Sequence, residues 1–272
     1  MHAGRLATIE ETPITIGRAS DADLVVADDN GVSRHHARFH RAADGAFYAE
    51  DLGSTNGTFL RGERISVAML HGDDLVQLGP QLQVRFAIVD SLEESLYRQL
   101  YESSVHDPLT QAFNRKYLND RLHAEVSHAR RANGAVAVLM IDVDCLKEVN
   151  DRFGHLAGDR ALRMVAARLL RVLRVEDMLA RYGGDEFVVV AVGTAGAGAR
   201  QLAERVRRAV EDLHIGARGS EVKITASIGV ASLAEFEASN EPAAALLASA
   251  DARMYAAKAS GRNFVCDGQP SP

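Results

Sequence analysis

Tryptophan is absent from the 272 residues, and aromatic residues of all kinds make up only 6%. Cysteine is nearly absent too. The two present, Cys145 and Cys266, stand far apart, with no Cys-x-x-Cys pair and no Cys/His spacing. A disulfide framework and a structural zinc site are therefore excluded, and a reducing compartment, the cytoplasm, is the expected location. No apolar run approaches the ~20 residues that a bilayer-spanning helix needs, and Met1-His2-Ala3-Gly4-Arg5 has no leader pattern. An excess of positive charge is also missing: the formal net charge is −6. Residues 1–90 carry 8 Lys/Arg against 13 Asp/Glu, and the remainder 23 against 24, so neither part reads as a DNA-binding surface. Any bound anion must be held by a local cluster against the overall field.

What is present fits an ordinary globular protein, with 47% apolar and 25% charged residues over a length suited to two domains. The first ninety residues are short apolar or alternating runs such as Ile14-Thr15-Ile16, Ala37-Arg38-Phe39 and Asp74-Leu75-Val76-Gln77-Leu78. Turn signals at Asp44-Gly45, Asn56-Gly57, Arg61-Gly62 and Gly79-Pro80 divide them, which predicts an all-β sandwich. From Ser91 the period changes. Leu92, Leu96 and Leu100 mark one face of a helix running to about Ser104. Beyond it, helical patterns around 114–131, 158–174, 198–213 and 241–260 alternate with strands at Val136–Asp142, on either side of Gly183-Gly184, and at Val222–Val230. That alternation predicts an α/β domain, a central sheet covered by helices.

Polar clusters punctuate the β-rich part at Gly17-Arg18, Ser33-Arg34-His35-His36 and Ser54-Thr55-Asn56-Gly57-Thr58. Arginine forks and hydroxyls are the donors a phosphate dianion requires. Taken singly, Asn56-Gly57 also reads as a hairpin turn and Arg34-His35-His36 as a solvated rim. In order, Gly-Arg, Ser-x-x-His and Thr-Asn-Gly resemble a forkhead-associated (FHA) domain over about residues 4–88. The resemblance implies an eleven-stranded sandwich that binds phosphothreonine peptides. Arg18, Ser33, Arg34 and Thr55 would face the phosphate, Asn56 the peptide main chain, and His36 would brace the loops. One departure is that only three residues precede Gly4 where an opening strand is expected.

In the second part, the apolar run Val136–Ile141 ends in Asp142-Val143-Asp144. Carboxylates at the end of a core strand are poorly solvated, and Mg²⁺ held by one or two carboxylates plus substrate phosphates resolves that. Asp144 alone also reads as the N-cap of a following helix. Arg181-Tyr182-Gly183-Gly184-Asp185-Glu186-Phe187 lies between two apolar runs, with the acidic pair at a hairpin tip; a bare Gly-Gly-Asp is also an ordinary turn.

This string resembles the GGDEF family of diguanylate cyclases over about residues 103–267. Further matches are Asp107-Pro108-Leu109-Thr110, Asn114-Arg115, Lys147, Asn150-Asp151, Phe153-Gly154-His155, Gly158-Asp159, Ser227-Ile228-Gly229-Val230, Met254-Tyr255, Lys258 and Gly261-Arg262-Asn263. The resemblance implies condensation of two GTP into cyclic di-GMP with release of two pyrophosphates, in an antiparallel homodimer. By that carry-over Asp142, the Val143 carbonyl and Asp185 bind Mg²⁺ or Mn²⁺, and Glu186 lies by the attacking hydroxyl. Asn150 and Asp159 read guanine, and Lys147, Lys258 and Arg262 hold phosphates. Arg174 and Asp177, spaced as an RxxD inhibitory site, would bind the product, with Arg205 as a second partner. Gln111 and Cys145-Leu146 depart from the usual pattern. The expected division is 1–90 (FHA), 91–104 (helical linker) and 105–268 (cyclase), with the FHA part controlling or localising the enzyme through a phosphothreonine protein or its own phosphorylated chain. The alternative is a catalytically weak GGDEF domain serving as a cyclic di-GMP receptor on an FHA scaffold.

Overall fold

A computed structural model describes residues 6–10, 12–19, 21–26, 29–215 and 222–268. The chain divides into two units, residues 1–102 and 103–272. The N-terminal unit holds nine strands among the described residues, where the family pattern implies eleven. They are β1 (Ile14–Gly17), β2 (Leu24–Val25), β3 (Ala37–Arg41), β4 (Phe47–Asp51), β5 (Thr58–Leu60), β6 (Glu63–Ile65), β7 (Val67–Leu70), β8 (Leu75–Leu78) and β9 (Leu82–Arg85). One sheet has the order β2-β1-β3-β4-β7 and the other β6-β5-β8-β9. Alternate residues of both sheets turn inward to one core of Ile16, Phe39, Ala49, Leu60, Val76 and Leu78, as a sandwich requires. Arg61 (φ 54°) and Gly62 (φ 84°) make the two-residue hairpin joining β5 to β6. Asn56-Gly57 is no hairpin, because it lies on the crossover from β4 in one sheet to β5 in the other. The segment expected to lack an opening strand, before Leu6, lies outside the described residues.

Helix α1 (Ser91–Val105) leads into the second unit and exposes Leu92, Leu96 and Leu100. There follow β10 (Phe113–Asn114), α2 (Arg115–Ala132), β11 (Val136–Asp144), α3 (Leu146–Phe153), α4 (His155–Val172), β12 (Met178–Gly183), β13 (Glu186–Val192), α5 (Gly196–Glu211), β14 (His214–Ile215), β15 (Val222–Lys223), β16 (Thr225–Ser232), α6 (Pro242–Ala259) and β17 (Val265–Cys266). The six-stranded sheet runs β10-β12-β13-β11-β16-β17, with β11 central and antiparallel to both neighbours. All nine residues of β11 are buried, which is why its sequence is a continuous apolar run. Ala137, Leu139 and Ile141 meet α4 and α5 residues such as Leu162, Leu169 and Val206. Val136, Val138 and Met140 meet Leu118, Leu122 and Leu246 of α2 and α6.

Two sequence expectations need correction. Residues 146–153 form a helix that periodicity did not reveal, and the next helix begins at His155 rather than 158. The strand expected over 222–230 is broken at Ile224, with β15 pairing β14 apart from the main sheet. Among the described residues no helix is long and apolar enough to cross a membrane.

Gly229 fixes how α6 sits. A Cβ there would lie 2.0 Å from the Ala250 carbonyl oxygen and 2.2 Å from the Met254 nitrogen, so only glycine lets α6 lie directly on β16.

Candidate active site and two ligand pockets

The acidic hairpin between β12 and β13 is braced from within its own unit. Arg181 donates through Nη2 and Nε to the Gly184 carbonyl at 2.7 and 3.1 Å. Its Nη1 reaches both oxygens of Asp107 at 3.2 Å. Asp107 also accepts from the Thr110 amide and hydroxyl at 2.9 and 2.7 Å. Its own burial is outweighed by the Thr110 bonds and the Arg181 charge, so its carboxyl is held below the usual range. Gln111 closes this loop in a left-handed conformation (φ 60°), its amide on the Asp107 carbonyl at 2.9 Å and its carbonyl accepting from His106 Nδ1. The sequence motif at 107–110 is thus the foundation of the hairpin tip 74 residues away.

At that tip Glu186 pairs in register with Asp142, and the Val143 amide donates to the Asp185 carbonyl at 3.1 Å. Asp142 is 4% exposed. Burial pushes its carboxyl up to about 6, and the charges of Asp185 and Asp144 push the same way while Lys258 opposes them. Lys258 Nζ lies 2.5 Å from Asp142 Oδ2. Its burial, which lowers its pKa, is outweighed by the bond to Asp142 and by the charges of Asp142, Asp185 and Glu186, so it is held in its charged form. Four of the sequence-predicted residues are therefore gathered: Asp142, Asp185, Glu186 and Lys258.

This donor set fits a hard divalent cation. It offers the buried Asp142 carboxylate, repelled by the half-buried Asp185 and already drawing a cation in the form of Lys258. Among the described residues no three His, Cys, Asp or Glu side chains form a complete metal-ligating cluster. Mg²⁺ binds through one or two carboxylates plus substrate phosphates.

Asn150 lies on α3 and Asp159 near the start of α4. Gly158 lets the two helices close around the asparagine, since a Cβ there would fall 1.9 Å from Asn150 Oδ1. Lys147 on α3 and Arg262 beyond α6 expose their side chains. The Cys145 thiol is pushed up by burial and by Asp144 and Glu148, with the charge of Arg262 opposing them. Leu146 packs into the core. Asp144 does not cap α3. The cap is Cys145, with φ 65° and no side-chain bond, whereas Asp144 accepts from Thr225 Oγ1 (2.7 Å), Ser227 Oγ (2.8 Å) and the Asn263 amide (3.1 Å).

A second pocket, of about 270 Å³, lies off the loop from α4 to β12 and includes Arg174, Asp177, Thr194, Gln201 and Arg205 in its wall. Asp177 Oδ2 accepts the Arg174 amide at 3.0 Å, while its Oδ1 is buried without a partner. Arg205 reaches from α5 to the Val172 carbonyl at 3.0 Å.

In the N-terminal unit three loops converge on His36, which is fully buried. Its Nδ1 accepts the Ser33 amide at 2.9 Å, which leaves Nε2 to donate to the Gly57 carbonyl at 3.1 Å. Ser33 Oγ accepts the Thr55 amide at 3.0 Å and lies 3.5 Å from Thr55 Oγ1. Arg18 donates its amide to the Ser33 carbonyl at 3.0 Å and its Nε to the Val32 carbonyl at 2.5 Å. Asn56 Nδ2 ties to the Gly31 carbonyl at 2.9 Å. Arg34 is exposed next to Ser33. The sequence reading missed Asp51, which accepts from Ser54 and Thr58 hydroxyls at 2.6 Å each and so shapes the 54–58 loop.

Comparison with known proteins agrees with both halves. The family model described as diguanylate cyclase, GGDEF domain, matches residues 104–264, and the FHA domain model matches residues 14–79. The chain belongs to the GGDEF family and carries an FHA domain ahead of its GGDEF domain. It is 36% identical over 193 residues to diguanylate cyclase DgcP of Pseudomonas aeruginosa, a match covering 69% of this chain and 28% of that protein. It is 42% identical over 178 residues to the response regulator PleD of Caulobacter vibrioides, covering 65% of this chain and 38% of PleD. The matches thus span well under half of these relatives. The coiled coil and GGDEF domain of DgcB from Caulobacter crescentus, solved with cyclic di-GMP, superposes with a TM-score of 0.57 at 30% identity, covering 64% of this chain and 91% of that one.

Proposed function

We propose that this chain is a diguanylate cyclase: it joins two GTP into cyclic di-GMP and releases two pyrophosphates. The observation that carries this reading is the buried Asp142 carboxylate, raised to about 6, set against Asp185, Glu186 and the Lys258 ammonium. In each of two equivalent steps the 3′-hydroxyl oxygen of one GTP bonds to the α-phosphorus of the other. The bond from that phosphorus to the bridging oxygen breaks, and pyrophosphate leaves. Glu186 receives the hydroxyl proton. A divalent cation, Mg²⁺ or Mn²⁺, held by Asp142, Asp185 and the Val143 carbonyl, supplies neutralisation of phosphate charge when bound. Lys258, Lys147 and Arg262 hold the triphosphate, and the Asp159 carboxylate accepts from the guanine N1 and N2 hydrogens while the Asn150 amide meets the same base, so adenine, lacking those donors, leaves polar groups unmet. The two nucleotides lie on two copies of the chain, so turnover requires a homodimer.

Three further assignments belong to this reading. The 1–90 segment binds phosphothreonine through Arg18, Ser33, Arg34 and Thr55, with Asn56 on the peptide backbone. The 91–104 helix links it to the 105–268 cyclase segment. The unpaired Asp177 Oδ1, beside Arg174 and Arg205, is an acceptor suited to a guanine donor, so cyclic di-GMP inhibits from that pocket.

Incubating the purified chain with GTP and Mg²⁺ and separating the nucleotides by chromatography tests the central claim. Cyclic di-GMP is expected from the wild type and none from Asp185→Ala; a variant with near wild-type turnover would sink the assignment. For the N-terminal segment, a phosphothreonine peptide is expected to bind and to lose affinity on dephosphorylation or with Arg18→Ala.

A further inference from the structure

The backbone after α6 is held in an unusual conformation. Gly261, Arg262 and Asn263 have φ values of 111°, 64° and 48°, three left-handed residues in succession, two of them bearing side chains. Each non-glycine residue there costs free energy and persists only where its surroundings hold it. The holding groups are concentrated on Asn263. Its amide donates to Asp144 Oδ2 at 3.1 Å, and Asp144 is fixed in turn by Thr225 and Ser227. Its side-chain oxygen accepts from Arg207 Nη1 at 2.7 Å, and its side-chain nitrogen donates to Glu211 Oε1 at 3.1 Å. Arg207 and Glu211 lie on α5, and each is locked by further partners. Arg207 donates to Glu204 at 3.0 Å and to Glu211 at 2.8 Å, and Lys223 Nζ donates to Glu211 at 3.0 Å. Hydrogen bonds from Lys223, Arg207 and Asn263 hold the Glu211 carboxyl down at about 2, so the clasp stays charged at any working pH.

The residue this clasp controls is the one before it. Arg262 is exposed, its neighbour Asn263 is bonded to Asp144 two residues ahead of α3, and the Lys258 that meets Asp142 is four positions earlier. We propose that Asn263, clasped by Arg207 and Glu211 of α5 and by Asp144 of β11, is a positioning residue that aims Arg262 at the nucleotide phosphates. The inference rests on the cyclase reading for what is bound. Neither Arg207 nor Asn263 touches substrate; both act through the backbone of residue 262.

Two substitutions separate positioning from mere stability. Asn263→Gly keeps a residue at ease with positive φ and the amide bond to Asp144 but removes the side-chain bonds to Arg207 and Glu211, and Arg207→Lys keeps the charge but loses the fork. Each is expected to raise the KM for GTP and the dissociation constant of a non-reactive GTP analogue, with Mg²⁺ present, by about tenfold, with kcat within about twofold. In an Arg262→Ala background the same substitutions are expected to add nothing, since their effect passes through Arg262. Analogue affinity within twofold of wild type, or an equal loss in the Arg262→Ala background, would overturn the proposal whatever the unfolding temperature does. Should the wild type make no cyclic di-GMP, the cyclase reading fails by itself, while analogue affinity still decides the role of the clasp.

Discussion

Replacing Asp142 by asparagine is expected to stabilise the protein while destroying its activity. The carboxyl is 4% exposed, and burial, joined by the charges of Asp185 and Asp144, moves its pKa from 3.8 to about 6. An acid whose pKa is higher in the folded state makes that state bind the extra proton between the two values. Stability therefore falls as pH rises from about 4 to about 6, and above that it stays at the lower level. A displacement of this size makes ionisation in the folded protein about 2–3 kcal/mol costlier than in the unfolded chain, net of the favourable Lys258 pairing. Asparagine has nearly the same shape and never ionises. In urea denaturation with a chelator at pH 7.5, Asp142→Asn should thus exceed the wild type by about 2–3 kcal/mol, a large part of a typical folding free energy. At pH 4.5 the difference should shrink below about 1 kcal/mol, because the wild-type carboxyl is then protonated as well. With Mg²⁺ and a GTP analogue added, the wild type alone should gain stability from binding, and the order should narrow or reverse. A variant no more stable than wild type at pH 7.5 without divalent cation, or a difference independent of pH, would refute the argument that burial of this charge is held in reserve for a cation.

Gly229→Ala should cost about 1–3 kcal/mol, since its Cβ meets backbone atoms of α6 at 2.0 and 2.2 Å that cannot give way singly; an unchanged denaturation midpoint would contradict the close packing. It should also lower turnover, because Lys258 rides on α6. Gln111→Gly should raise stability by about 0.5–1 kcal/mol by relieving its left-handed backbone, and a lowered melting temperature would show that the bond from the Gln111 side-chain amide to the Pro108 carbonyl at 3.2 Å, not φ, decides that loop. Arg174→Ala should abolish both retention of cyclic di-GMP through purification and slowing of the reaction by product; equal inhibition of variant and wild type would move the product elsewhere.

Much of this was legible in the sequence where a residue type answers to one surrounding. The run Val136–Ile141 is apolar throughout because helices cover both faces of β11, and that alone identifies a central strand. The helix over 115–132 is announced by Asn114, whose side chain accepts from the Tyr117 amide as its N-cap. Helix α3 was not legible. It has eight residues, starts from a left-handed Cys145 without a capping side chain, and exposes much of its surface. Asp144 was misread for a related reason. An aspartate just ahead of a helix has the local signature of a cap, but its real partners are 81, 83 and 119 residues away, where no local pattern reaches.

The same division runs through the site. Asp142, Asp185 and Glu186 are recognisable because acidic residues at the end of a core strand and a tight hairpin are costly unless a cation meets them. The residues that hold them carry no such local signature. Asp107 looks like one more polar loop residue until Arg181 is found bridging it to the Gly184 carbonyl. Gly158 and Gly229 have no chemistry of their own; each is explained by a neighbour that a Cβ would strike, Asn150 in one case and the α6 backbone in the other. His36 in the N-terminal unit belongs with them, since its two ring nitrogens join the Ser33 and Gly57 loops. Motif positions with no evident chemical role are thus the ones whose work is to fix distances, and substituting them should disturb binding geometry before it disturbs charge.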